Sequence, residues 1–236
     1  MRNYAKKVQL FICFLISFNL CSQSKEPLSI DGKVLDKKEK NCSYKIKYPI
    51  LKLGKDSKYD VSVVRNIGKV FIDEFTNIEK YENEFECNKK DKNASPFTLN
   101  GDFTVKLKTD SILSIHSSFS SYVEGNPYPN NVFKTYNFEL NSGKEIAFED
   151  LFKKDSKYLI PLHKFMAEAM LKEKVISEKD EFIALKKEKY DFYLTQNAIV
   201  FINLFDIHAM QSVEVMIPYD KMKKYLNTDM VLKFVK

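Results

Sequence analysis

FYLTQNAIVFINLFDIHAMQSVEVMIPYDKMKKYL, residues 192–226, is the stretch that decides how this chain is read. Apolar runs over 190–194 and 198–204 are separated by a short polar link. Both are rich in β-branched and aromatic residues, so they predict a β-hairpin. Residues 212–218 predict a further strand, and 219–226 a short closing helix.

Working outward, residues 97–108 alternate. Phe103, Val105 and Leu107 are expected on one face, with Thr104, Lys106 and Lys108 on the other. Thr109-Asp110 turns the chain into a strand over 111–124, and 125–131 (GNPYPNN) is a strong loop. A strand over 132–140 follows, with Tyr136, Phe138 and Leu140 on one face. Consecutive strands with short links predict an antiparallel meander. Residues 43–49 (SYKIKYP) alternate as well, and Pro49 ends that strand.

Residues 56–86 carry the strongest helical signal. Val64, Ile67, Phe71, Phe75 and Ile78 step by threes and fours, which gives one apolar stripe. Ser57 with Asp60 resembles a capping box. A second amphipathic helix is expected over 156–174, with Pro161 near its first turn, and a third over 177–188.

The first residues have the order of a secretory signal. Arg2, Lys6 and Lys7 precede an apolar run over 8–20, and small residues follow. That run is short of the ~20 residues a bilayer span needs. Two readings stay open. One is an ordinary cut after residue 24. The other is lipid modification of Cys21, which would anchor the protein to a membrane. Residues 25–41 are polar and aperiodic and are expected to be a tether.

Export gives the cysteines their meaning. Cys13 lies in the signal and Cys21 at its edge, so Cys42 and Cys87 are left to form a disulfide. Metal binding is the alternative, but no Cys-x-x-Cys or Cys/His cluster supports it. Nineteen Phe and thirteen Tyr without Trp indicate a core of Phe, Tyr and aliphatic residues. The net charge is +6, or about +3 without the signal. Its acids are interspersed, which does not suggest nucleic-acid binding.

Few catalytic patterns exist. His116, His163 and His208 lack zinc-site spacing. His116 lies among serines (SIHSSFSS), but adjacent strand residues point to opposite faces, so Ser117 does not face it. Glu149-Asp150 could be paired carboxylates, but a role at a helix start reads better. No metal site and no cofactor are expected. Two readings of Tyr122 and Tyr128, near Phe133, stay open: an aromatic contact for a carbohydrate or a protein, or a turn with partly covered aromatics.

The order from about Leu113 onward, with YNFELNSGKEIAFEDLF (136–152), FYLT (192–195) and Ile217-Pro218-Tyr219, resembles the extracytoplasmic domain of RsiV-like, lysozyme-sensing anti-sigma factors. Residues 44–113 resemble the companion domain that also accompanies the peptidoglycan deacetylase PdaC. The resemblance implies an α+β fold with helices on one side of an antiparallel sheet. With the signal (1–24) and the tether (25–41), it is expected to leave an N-terminal α+β subdomain with the long helix (42–110) and a C-terminal α+β domain (111–236).

The resemblance also implies a non-enzymatic envelope protein, periplasmic or membrane-anchored, that binds lysozyme or peptidoglycan-related ligands. Loops 125–131 and 205–212 would form the ligand-facing edge, although both depart from the family's usual sequences. The binding candidates are Tyr122, Asn126, Tyr128, Asn130, Phe205, Asp206, His208 and Met210. Only seven residues precede the apolar run, so direct control of a cytosolic sigma factor is not expected. An envelope hydrolase using His116 or His208, and a purely structural lipoprotein, are the alternative classes.

Overall fold

The computed structural model describes residues 27–85, 87, 95–178 and 189–229. The expected signal with Cys21, and most of the expected third helix, lie outside the described residues.

The fold is α+β, as expected. A five-stranded sheet contains β1 (Leu28–Lys38), β2 (Cys42–Leu53), β3 (Phe97–Lys108), β4 (Ile112–Val123) and β5 (Asn130–Glu139), side by side in that order. A smaller sheet has the order β6 (Asp191–Leu194), β7 (Ala198–Ile202), β8 (Val215–Pro218). Among the described residues, the helices are α1 (Val61–Thr76), α2 (Glu79–Glu84), α3 (Leu159–Lys172) and α4 (Tyr219–Met222). No helix among the described residues is long and apolar enough to cross a membrane.

One expectation is corrected. Most of the expected tether is β1, which pairs antiparallel with β2 from Leu28↔Leu53 to Lys38↔Ser43. Its charged side chains suit an edge strand, where they discourage pairing with other chains. The expected meander, β3 to β5, is antiparallel, while β2 and β3 run parallel from Cys42↔Phe97 to Ile46↔Gly101. A parallel neighbour needs a long crossover, and α1 and α2 supply it. The division expected after residue 110 falls in the turn between β3 and β4, which are neighbours in one sheet.

Helix α1 lays Val64, Ile67, Phe71 and Phe75 onto the sheet. They meet Ile46, Leu99, Ile115, Phe119, Tyr136 and Phe138 in a first core. Its cap is Asp60 alone, whose carboxylate accepts from the backbone N–H of Ser62 and Val63 at 2.6 and 3.3 Å. Ser57 instead accepts from the Tyr59 N–H. The helix stops at Thr76, ten residues before the expected end at 86, and restarts as α2. The break lets Tyr81 and Phe85 stack on Phe97, at 5.9 and 4.1 Å between centroids. It also brings Cys87 to Cys42, and the expected disulfide is formed.

A second core lies between α3 and the small sheet. Leu162, Met166 and Met170 pack there with Phe192, Ile199, Phe201 and Ile217. Pro161 is the third residue of α3, where its missing N–H costs no helical bond.

One register shift explains a misplaced residue. A bulge in β3 between Val105 and Leu107 moves the pairing by one, so Leu107 pairs with Ser114. Phe103 and Val105 stay with the first core, while Leu107 joins the second. A one-residue shift flips the face of every side chain beyond it.

Candidate functional site

Alternation along β4 sends Leu113, Ile115, Ser117 and Phe119 toward α1. Ser114, His116, Ser118, Ser120 and Tyr122 go to the opposite face. The small sheet covers one end of that opposite face. The backbone N–H of Leu194 donates to Ser114 Oγ at 2.8 Å, and Asn137 Nδ2 donates to the Phe192 carbonyl at 2.8 Å. The rest of the face stays open. It forms a bay of about 360 Å³ lined by Val34, Lys45, Lys47, Asn100, Asp102, Ser118 and Ser120. Gly101 lies between them. A Cβ there would meet Ile46 Cγ2 at 2.8 Å and the Phe119 ring at 3.0 Å, so the close approach of β2, β3 and β4 requires glycine.

A separate cluster of side chains lies at the junction of the sheets, next along β4 from the bay. Lys106, the bulge residue, holds its ammonium 4.5 Å from the centre of the Tyr193 ring. The Tyr193 hydroxyl donates to Glu214 Oε2 at 2.8 Å. The His116 ring stacks on Phe133 at 5.7 Å and lies 5.5 Å from Tyr193. Burial lowers the His116 pKa, Lys106 acts the same way, and Glu214 opposes both. Burial and the Glu214 carboxylate push the Tyr193 phenol well up. The cluster therefore carries a neutral imidazole, a fixed ammonium and a fixed carboxylate.

The expected binding residues divide between rim and core. Tyr122 closes the far end of the open face and is half-buried. Asn126 and Asn130 are exposed in the β4–β5 hairpin, and Tyr128 is 60% exposed. Gly125 there has φ 99, which glycine alone adopts readily.

The second loop is anchored at this cluster. Asn203 Nδ2 donates to the Phe133 carbonyl at 3.0 Å where the loop begins, and Glu214 holds Tyr193 where it ends. Within it, Phe205 is only 5% exposed and packs in the second core, so its ring anchors the loop and offers no surface to a ligand. Met210 packs partly against the same core. Asp206 is exposed. His208 lies in a 3-10 turn, His208–Met210, and its side chain is outside the described residues.

The other candidates stand apart. Ser117 is buried on the α1 side, opposite His116. His163 lies on α3, with its ring 5.9 Å from Tyr190. Glu149 pairs with Lys189 at 2.8 Å, while Asp150 pairs with Lys144 at 2.9 Å and accepts from the Ala147 N–H at 3.1 Å. Each carboxylate thus has its own cation, and Asp150 starts the 3-10 turn Phe148–Leu151. Among the described residues, no three His, Cys, Asp or Glu gather as metal ligands. Sequence reading missed Lys106, Tyr193, Asn203 and Glu214. No spacing rule signals a bulge or a contact between two sheets.

Comparison with known proteins places the fold. Residues 35–131 match the family model described as Deacetylase PdaC, a wider span than the 44–113 expected. That span reaches from β1 into β5, in keeping with a single sheet across residue 110. No curated protein matches the chain. A solved structure of a DUF3298 family member from Bacteroides fragilis NCTC 9343 is similar over 88% of this chain and 97% of its own, with 16% identity and a TM-score of 0.59. A DUF3298 family protein from Pseudomonas aeruginosa PAO1 is similar over 86% and 95%, with 16% identity and a TM-score of 0.54. The chain thus carries a PdaC-type segment over residues 35–131, within a fold shared with DUF3298 family structures.

Proposed function

We propose that this is an exported, non-enzymatic protein of the bacterial envelope that holds peptidoglycan strands in the bay of the five-stranded sheet. The bay itself carries the reading. One face of the sheet is closed by α1, while the other presents lysines, an amide and hydroxyls around an open recess. Short hydroxyl and amide side chains suit sugar hydroxyls. Lys45 and Lys47 suit the carboxylates of muramyl groups and stem peptides. The signal-like start and the Cys42–Cys87 disulfide fit an oxidising compartment. A lipid on Cys21 would add a membrane anchor.

A second reading is lysozyme binding. It draws on the resemblance to RsiV-like domains and on the exposed apolar Tyr128 and Ile207, one in each rim loop. Charge favours peptidoglycan, because c-type lysozymes are basic and so is this chain.

Co-sedimentation of the disulfide-intact chain with purified sacculi tests the proposal. The expected result is retention at about physiological salt that weakens in Lys45→Ala/Lys47→Ala. Retention on immobilised lysozyme with none on sacculi would support the second reading and overturn the first.

A further inference from the structure

Outside the bay, a cleft of about 660 Å³ lies at the other end of β5. Its walls come from the turn after β5, the link between the 3-10 turn and α3, and the stretch after α4. The volume lies within the ~300–1,000 Å³ typical of small-molecule sites. Tyr158 and Phe152 form one wall, with rings stacked at 3.8 Å and 2°. Phe152 is buried and Tyr158 half-buried, so the tyrosine is the aromatic surface the cleft presents. Asp155, Asn227 and Asp229 lie around it with Lys154.

The walls are rigid. Lys153 N–H donates to the Tyr225 carbonyl at 2.8 Å, and Asn227 N–H to the Leu151 carbonyl at 2.9 Å. Lys153 Nζ donates to the Lys224 carbonyl at 3.0 Å. Phe152 and Leu226 form an isolated β-bridge. Asp155 adopts φ 60, a left-handed conformation that costs of order 1 kcal/mol for a non-glycine residue. The fold thus holds an exposed carboxylate in a strained turn at the cleft.

We infer that this cleft is a saccharide site, taking one or more uncharged pyranose rings. An aromatic side chain matches the C–H face of a pyranose. Carboxylate and amide groups beside it match vicinal hydroxyls, since a carboxylate accepts two hydrogen bonds and an amide both donates and accepts. Five lining carboxylates against three lysines disfavour a phosphate or other anionic ligand. The site shares no lining residue with the bay and does not depend on it.

The test is a nitrogen-15 chemical-shift titration of the full disulfide-intact chain with the β-1,4-linked dimer of N-acetylglucosamine, and separately with inorganic phosphate. Two variants accompany it. Asp155→Gly/Asp229→Asn removes two carboxylates, and glycine accepts the φ of residue 155, so the fold is kept. Lys45→Ala/Lys47→Ala disables the bay. The expected result is saturable shifts at Lys144, Asp155 and Asn227, weakened about tenfold in the first variant and unchanged in the second. Absence of shifts at millimolar sugar, shifts confined to the bay, or tighter binding of phosphate than of the sugar would each overturn the inference.

Discussion

Ser114 Oγ donates to Asn137 Oδ1 at 2.6 Å across β4 and β5, and both side chains are buried. The pair does more than link two strands. Ser114 Oγ also accepts from the Leu194 N–H, and Asn137 Nδ2 donates to the Phe192 carbonyl. Two side chains of the large sheet thus replace a strand ladder for β6. This joint sets where the small sheet sits, and so where the open bay begins.

Breaking the joint should be costly. Ser114→Ala leaves both Leu194 N–H and Asn137 Oδ1 buried without these partners. At about 1–3 kcal/mol for each of the two groups, urea unfolding should show a loss of roughly 2–6 kcal/mol. Ser114→Ala/Asn137→Ala should cost less than the sum of the single changes, because the groups form one network. Additive losses would argue against a shared joint.

The disulfide closes a separation of 45 residues. Chain entropy assigns such a loop about 4 kcal/mol at 25 °C. Cys42→Ala/Cys87→Ala should lose stability of that order in denaturant unfolding. It should still show the native near-ultraviolet dichroism, because Tyr44, Phe97 and Leu99 remain packed beside the joint.

Gly101 is a close-approach position. Gly101→Ala places a methyl against Ile46 and Phe119, which are 0% and 8% exposed and have little room to retreat. Overpacking of this kind costs about 1–3 kcal/mol, to be read from the shift in unfolding midpoint. The same change at Gly68, where nothing lies within 4 Å, should be neutral or stabilising.

Acid should weaken the cluster around His116 before it weakens the rest. His116 has a lowered pKa in the fold, so the unfolded chain takes up this proton at higher pH than the folded chain does. Where the unfolded state binds more protons, stability falls as pH falls. For His116 that window opens near pH ~6.5, the ordinary imidazole value, and closes at the lowered native value. Asp60 and Glu149 also have lowered pKa values, so their contributions are lost only at pH ~4.5 and below. His116→Phe should therefore reduce the decline in urea midpoint between pH 7 and 5, and leave the decline at lower pH.

Much of the fold was legible because its elements are strongly periodic. The stripe of α1 and the hairpin of β6 and β7 follow directly from residue spacing. Strand β1 was not legible. Asp31, Lys33, Asp36, Lys37 and Lys38 give it the composition of a tether, and an edge strand needs only one partner to form. The placement of Leu107 failed because a bulge at Lys106 leaves no mark in the alternation. The site was legible only in part. Tyr122 and Tyr128 stand out as aromatics near a turn. Lys106, Tyr193 and Glu214 meet only because two sheets pack together, and Phe205 looked like a loop residue until its burial was seen.

The most direct test of the account is isothermal titration of the disulfide-intact chain with soluble, uncross-linked peptidoglycan strands at about physiological salt. The account predicts saturable binding that weakens as salt rises, because exposed lysines are screened, and that falls about tenfold in Lys45→Ala/Lys47→Ala. Absence of heat, or binding that the double variant leaves unchanged, would contradict it.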